Sequence, residues 1–110
     1  MAKGKSDLLQ GTLNLLILKT LSLQDMHGWG IAKRIQQMSA DVLRVNQGSL
    51  YPALQRLVEE GLIRSHVGAA PSGRSVKVYS LSIKGRRQLE RDTASWRLTS
   101  HAVNEVLQAV

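Results

Sequence analysis

The chain contains no cysteine and no phenylalanine, only two prolines, and only four tryptophan and tyrosine rings, Trp29, Trp96, Tyr51 and Tyr79. Without cysteine there can be no disulfide, no thiolate metal site and no cysteine nucleophile. His27, His66 and His101 are too far apart in sequence to suggest a metal site, so neither a metal nor another cofactor is expected. A core without phenylalanine must be built from Leu, Ile and Val, which leaves each of the four rings to be explained. Paired carboxylates at a useful spacing, a glycine-rich phosphate loop after a strand, and a nucleophile with a base are all missing, so an enzyme is not expected. Lys3 and Lys5 precede an apolar run in the manner of a secretory signal, but Asp7, Gln10, Asn14 and Lys19 interrupt it and no small-residue cleavage site follows. The run is also too short and too polar to cross a bilayer. A cytoplasmic protein without a membrane partner is expected.

Acidic residues are scarce as well. Eight stand against fifteen Lys and Arg, for a formal net charge of +7 over 110 residues. Residues 1–25 hold three basic and two acidic groups, residues 26–87 hold ten and three, and residues 88–110 hold two and three. All of the excess lies in the middle of one domain's length of chain, the footprint expected of a polyanion-binding module whose ends do something else.

The middle is organised around residues 46–61. Leu50, Ala53, Leu54, Leu57 and Val58 recur at the spacing of a helix with one buried stripe. Gln47, Ser49, Tyr51, Gln55 and Arg56 line the other side, a mixture of amide, hydroxyl, phenol and guanidinium groups suited to phosphate oxygens and base edges. Pro52 belongs in a first helical turn, which predicts a start near Gly48 or Ser49 with Ser49 as the cap, and Gly61 should end the helix. For Tyr51 a packing role is the alternative to a DNA contact.

Before this helix, residues 1–6 read as a short basic disordered segment, and Asp7 with Gln10 as a weak capping box. From Leu8 to about Leu23 the leucines cover more than one stripe, so the helix needs a second covering surface, most economically a partner subunit, unless the extra leucines stay exposed. A turn through Gln24–Gly30 leads to a second helix of about residues 27–38 with Ile31, Ala32, Ile35 and Met38 on its apolar face and Lys33 and Arg34 pointing elsewhere. Residues 41–45 suit a brief strand. After Gly61 the period changes to two, which predicts strands at 62–67 and 76–82 around the small loop 68–75, with Tyr79, Leu81 and Ile83 on one face. Such a hairpin is a wing, and its Arg74 and Lys77 would reach a flanking phosphate or the minor groove. From Ser82, a reasonable N-cap, a helix runs to the end, and Leu89, Trp96, Val103 and Val110 lie seven apart, supplemented by Val106 and Leu107. An arm of about 42 Å should pack on a second copy, across the leucine-rich first helix, rather than fold back. The expected fold is therefore α+β and mainly α, a winged helix-turn-helix over 1–82 with a long dimerisation helix over 83–110.

In their order, these pieces resemble the PadR family of bacterial transcriptional regulators, from about residue 7 to the end. The resemblance rests on Leu13 to Leu21, on His27-Gly28-Trp29-Gly30-Ile31, on Gly48-Ser49-Leu50-Tyr51-Pro52-Ala53-Leu54 with Arg56-Leu57, on Gly73-Arg74 with Lys77 and Tyr79, and on Leu81-Ser82-Ile83-Lys84-Gly85. Trp29 stands where the family more often has Tyr, and the single last helix resembles the compact subfamily. The resemblance implies a winged-helix homodimer on a near-palindromic operator of double-stranded DNA, usually a repressor. Gln47, Ser49, Tyr51 and Gln55 are then the candidates for base or phosphate contact, and Lys33, Arg34, Arg56, Arg74 and Lys77 for phosphate neutralisation. Leu13, Leu16, Leu89, Trp96, Val103, Val106 and Leu107 are the candidate dimer interface. A tryptophan matching Trp96 helps multidrug-responsive relatives to sandwich flat aromatic drugs, which makes a small aromatic effector an alternative to plain interface packing. A winged helix that binds protein is the rival to DNA binding. RNA binding lacks the expected platform of exposed aromatics.

Overall fold

A computed structural model describes the backbone of residues 2–110 and the side chains of residues 12–110. Helix α1 (Ala2–Leu23) is followed by a two-residue strand β1 (Met26–His27), helices α2 (Gly28–Met38) and α3 (Gln47–Glu59), strands β2 (Ile63–Ala69) and β3 (Ser75–Leu81), and helix α4 (Ile83–Gln108). This is a mainly helical α+β winged helix-turn-helix. The backbone of α1 starts at Ala2 rather than at Asp7, so residues 2–6 extend the helix instead of preceding it as a disordered segment. The Asp7–Gln10 capping box and the leucines at 8 and 9 concern side chains outside the described residues.

Spacing explains the core. Leu13, Ile17, Leu18 and Leu21 on α1 meet Ile31 and Ile35 on α2, Leu50, Ala53, Leu54 and Leu57 on α3, and Leu62, Ile63, Tyr79 and Leu89 beyond them. The α1 residues fall at the i, i+4, i+5, i+8 positions of one stripe, so α1 is the post around which the other elements are arranged. Leu15 and Leu16 flank that stripe, and with Lys19 they face Leu89, Thr93, Ala94 and Trp96 of α4. Part of the expected apolar excess of α1 is thus covered within the chain. Leu13 is 2% exposed and Leu89 is also buried, so neither has free surface for a partner, and both leave the expected interface for the core. Met38 leaves the expected apolar face of α2, being 47% exposed at the helix's last residue, where the chain turns away from the core.

The turn after α2 replaces the expected strand at 41–45. Ala40 and Asp41 take positive φ values of 50° and 68°, and the Ser39 hydroxyl accepts the Leu43 N–H at 2.9 Å. These two left-handed residues turn the chain at 40–41, and residues 42–45 take no place in the sheet. The sheet instead gains its third strand from β1, within the expected turn 24–30. Its order is β1-β3-β2, all antiparallel, with Met26 opposite Tyr79 and His27 opposite Val78. Strands β2 and β3 pair from Ile63 with Leu81 to Ala69 with Ser75, so the wing loop shortens to residues 70–74. Ile83 does not continue the face of Tyr79 and Leu81; it is the exposed first residue of α4.

Two devices set the ends of α3 and α4. The Leu62 N–H donates to the Leu57 carbonyl and the Gly61 N–H to the Val58 carbonyl, each at 3.0 Å, while Gly61 sits at φ 76°, the left-handed glycine stop expected there. Ser82 caps α4 by accepting the Gly85 N–H at 2.9 Å, and its hydroxyl lies 2.7 Å from the Gly61 carbonyl oxygen and 2.9 Å from that of Leu62, within donating reach of either. Gly85 is required by space: a Cβ there would run into the Leu62 carbonyl oxygen. The end of α3, the base of the wing and the start of α4 are therefore locked at one point. Beyond it α4 extends about 39 Å at ~1.5 Å per residue, and the molecule measures 57 × 30 × 21 Å along its principal axes.

Candidate nucleic-acid interface

Helix α3 begins one or two residues earlier than Pro52 suggested. Asn46, not Ser49, is the N-cap: its Oδ1 accepts the Ser49 N–H at 2.8 Å. Pro52 consequently lies in the second turn and denies a donor to the carbonyl of Gly48, which is exposed and so not stranded in the core. Capping by Asn46 places Gln47 and Gly48 in the first turn and turns Leu50, Ala53, Leu54 and Leu57 inward. Tyr51, Gln55 and Arg56 are left exposed on the outer side with Gln47, and Ser49 is half-buried.

Two adjoining concavities bring part of the expected set together. Tyr51, Gln55, Ser65, Lys77 and Tyr79 line one between α3 and the strands. The other, about 720 Å³, lies between the starts of α2 and α3 and the wing, and places Tyr51, Arg74 and Lys77 with His27, Trp29 and Tyr79. Lys33 and Gln47 share a third hollow with Trp29 in the helix-turn-helix corner. Arg34, Ser49 and Arg56 line none of the three; Arg34 and Arg56 are exposed on α2 and α3.

Electrostatics leave the groove basic. Lys33, Arg34, Arg56, Arg74 and Lys77 are all exposed, and among the described residues the one ion pair within 4 Å is His101 with Glu105 far along α4, at 3.6 Å. Five cations within residues 33–77, without carboxylate partners among the described residues, are a field for polyanions. The wing tip that carries Arg74 is held by the Ala70 N–H on the Arg74 carbonyl and the Gly73 N–H on the Ala70 carbonyl, both 2.8 Å, with Gly73 at φ 86°. Tyr79 is buried beneath the groove, and burial, with the neighbouring Tyr51 phenol second, pushes its hydroxyl above the ordinary tyrosine range.

Three residues that the sequence offers only as part of the motif opening α2 belong to this site. His27 caps α2 by accepting the Gly30 N–H at 2.9 Å on Nδ1, and its ring stacks on Trp29 at 6.4 Å between centroids. Trp29 is 55% exposed and carries the Lys33 ammonium 4.9 Å from its ring centroid, a cation–π contact that holds Lys33 at the rim. Gly28 lies under the Tyr51 ring. A histidine directly before an apolar helical period is the local signal for this cap, a weak one because histidine is not among the usual capping residues.

A model of the "Transcriptional regulator PadR-like family" matches residues 17–91, from the middle of α1 to the first turns of α4. The chain belongs to the PadR-like family of transcriptional regulators. PadR-like membership implies DNA binding and makes this a regulator rather than an enzyme. A transcriptional regulator of Mycobacterium tuberculosis is 34% identical over 83 residues, 76% of this chain and 74% of its own length. The crystal structure of a PadR-like transcriptional regulator from Bacillus cereus superposes with a TM-score of 0.81 at 32% identity, covering 94% of this chain and 99% of that one. That of a PadR family regulator from Eggerthella lenta gives 0.82 at 25% identity, covering 99% and 93%. This chain carries a single long C-terminal helix after the wing. Among the described residues no helix is long and apolar enough to cross a membrane.

Proposed function

We propose that this PadR-like regulator is a homodimeric repressor of a near-palindromic operator, with the two α3 helices in successive major grooves about 34 Å apart and the wings on the flanks. The observation that carries the reading is the groove itself, where exposed Arg74 and Lys77 meet Tyr51 and Gln55 of α3, with Lys33, Arg34 and Arg56 exposed on the helices and none of the five paired to a carboxylate among the described residues. Gln47, Ser49, Tyr51 and Gln55 supply base or phosphate contacts, and the five cations neutralise phosphates. Residues 1–82 form the DNA-binding part, and residues 83–110 the dimerisation helix. Leu16 and the α4 residues Trp96, Val103, Val106 and Leu107 form the seam. Leu98, Val103, Val106 and Leu107 line one open apolar strip near the end of α4, which a second copy would cover.

Trp96 supports a second reading of the same seam. It is 44% exposed and lines a hollow of about 590 Å³ between α1 and α4, where a planar aromatic effector could lie between subunits and release the operator. Quenching of tryptophan emission by planar aromatics, lost in Trp96→Phe and kept in Trp29→Phe, supports that role; no quenching across a broad panel leaves Trp96 a packing residue.

Titration of the protein against the duplex immediately upstream of its own gene and a scrambled duplex, at two salt concentrations, tests the main reading. Saturable binding to the first alone, at two subunits per duplex, is expected. Equal and strongly salt-dependent binding to both removes the operator reading and leaves a basic surface, and no binding to either at low salt favours a protein-binding module.

A further inference from the structure

Gly28 is the buried first residue of α2, in backbone geometry that any L-residue adopts. Its identity is dictated by room. A Cβ there would lie 2.8 Å from Cε1, 3.1 Å from the hydroxyl and 3.2 Å from Cζ of Tyr51. Those atoms are the phenol end of the ring, so the phenol of Tyr51 rests on the bare backbone of Gly28, and Tyr51, 43% exposed, lines with Gly28 the groove that holds Arg74 and Lys77. Gly28 is itself fixed from both sides. Immediately before it, Met26 and His27 pair with Tyr79 and Val78 of the wing, and immediately after it the His27 cap closes on the Gly30 N–H.

We propose that Gly28 is a positioning residue for DNA recognition: its missing side chain is the seat that holds the Tyr51 phenol in the groove. The inference rests on the DNA-binding reading above. A ring held in place before binding is not ordered at the cost of affinity when the DNA arrives. It also ties the wing to the recognition helix, because the strand that fixes Gly28 is paired with the strand that carries Lys77 and Tyr79. With alanine at position 28, the exposed and flexible Tyr51 ring must swing off its seat. The fold is spared, since alanine is the better helix former.

The probe is a duplex enriched by the parent protein from a random-sequence pool, with binding and melting temperature measured for the parent, Gly28→Ala, Tyr51→Ala and the double variant. Gly28→Ala should weaken binding to that duplex about tenfold, the size of one well-formed contact. The slope of affinity on salt should stay unchanged and the melting temperature should be equal to or above the parent's. In the Tyr51→Ala background the same substitution should change nothing. Unaltered binding by Gly28→Ala overturns the inference. So does a loss of equal size in both backgrounds, which would make Gly28 a structural residue acting without Tyr51. A pool that yields no enriched duplex instead overturns the operator reading, a different failure from either of these.

Discussion

Replacing Arg74 with alanine separates a phosphate contact from an idle surface charge. The guanidinium sits at a wing tip held by two 2.8 Å backbone hydrogen bonds and has no carboxylate partner, so its removal should alter neither the loop nor an internal ion pair. Each phosphate neutralised adds about 0.9 to the slope of log affinity against log salt, so a dimer losing one contact per wing should have a slope shallower by roughly 1.8. Over a rise from about 50 to about 200 mM salt, the parent should then lose roughly twelvefold more affinity than the variant does. At low salt the variant should bind more weakly to operator and scrambled duplex by the same factor, because phosphates carry no sequence. Fluorescence anisotropy at four or more salt concentrations reads both quantities, with Arg91→Ala on α4, whose guanidinium bonds Gln88, as the control. An Arg74→Ala slope equal to the parent's would remove Arg74 from the interface and, with it, the wing's assigned role.

Gly85→Ala should be the most damaging small substitution, since its Cβ meets the Leu62 carbonyl oxygen and lies 2.8 Å from Leu81 Cδ1. Displacing that backbone should cost about 2–3 kcal/mol and lower the melting temperature by roughly 10 °C; a melt matching the parent's refutes the close-packing argument. Asn46→Ala removes the acceptor for the Ser49 N–H. Urea unfolding should show a loss of about 1 kcal/mol, and no loss would mean that the cap does not hold α3. The buried Tyr79 phenol has its folded-state pKa raised above the ordinary 10.0. The folded chain thus holds this proton more tightly than the unfolded one, so stability should be level below about pH 10 and fall above it. Tyr79→Phe should reduce that alkaline loss in urea titrations, and an unchanged pH profile would show that another group causes it.

Legibility followed the range of the physical signal. The stripe of α3, that of α2 apart from Met38, the Gly61 stop and the Ser82 cap are local patterns within a few residues, and each is readable in the sequence. Three differences have other causes. Strand β1 is only Met26 and His27, too short for any alternation, and exists because β3 arrives alongside it from fifty residues away. The segment 41–45 has strand-like residues, but the Ser39 hydroxyl and two left-handed residues turn it instead. Leu13 and Leu89 matched an interface pattern because a helical period shows which positions are apolar without showing what covers them. Packing against the chain's own second layer claimed both.

The same limit applies to the candidate groove, and it explains why its least conspicuous residues organise it. Cations and amides on α3 announce themselves by type, whereas Gly28 and Gly85 act through what they lack. One lets the Tyr51 phenol rest on α2, the other lets α4 start against the carbonyl that follows α3. Both contacts join elements distant in sequence to the recognition helix. Through the pairing of β1 with β3 the wing is fastened to the start of α2, and through Ser82 the wing base and α4 are fastened to the end of α3. The groove is therefore bounded by rigid attachments at both ends of α3. If α4 is the dimer seam, its attachment at Ser82 and Gly85 is the shortest covalent and packed route from that seam to the DNA-facing helix.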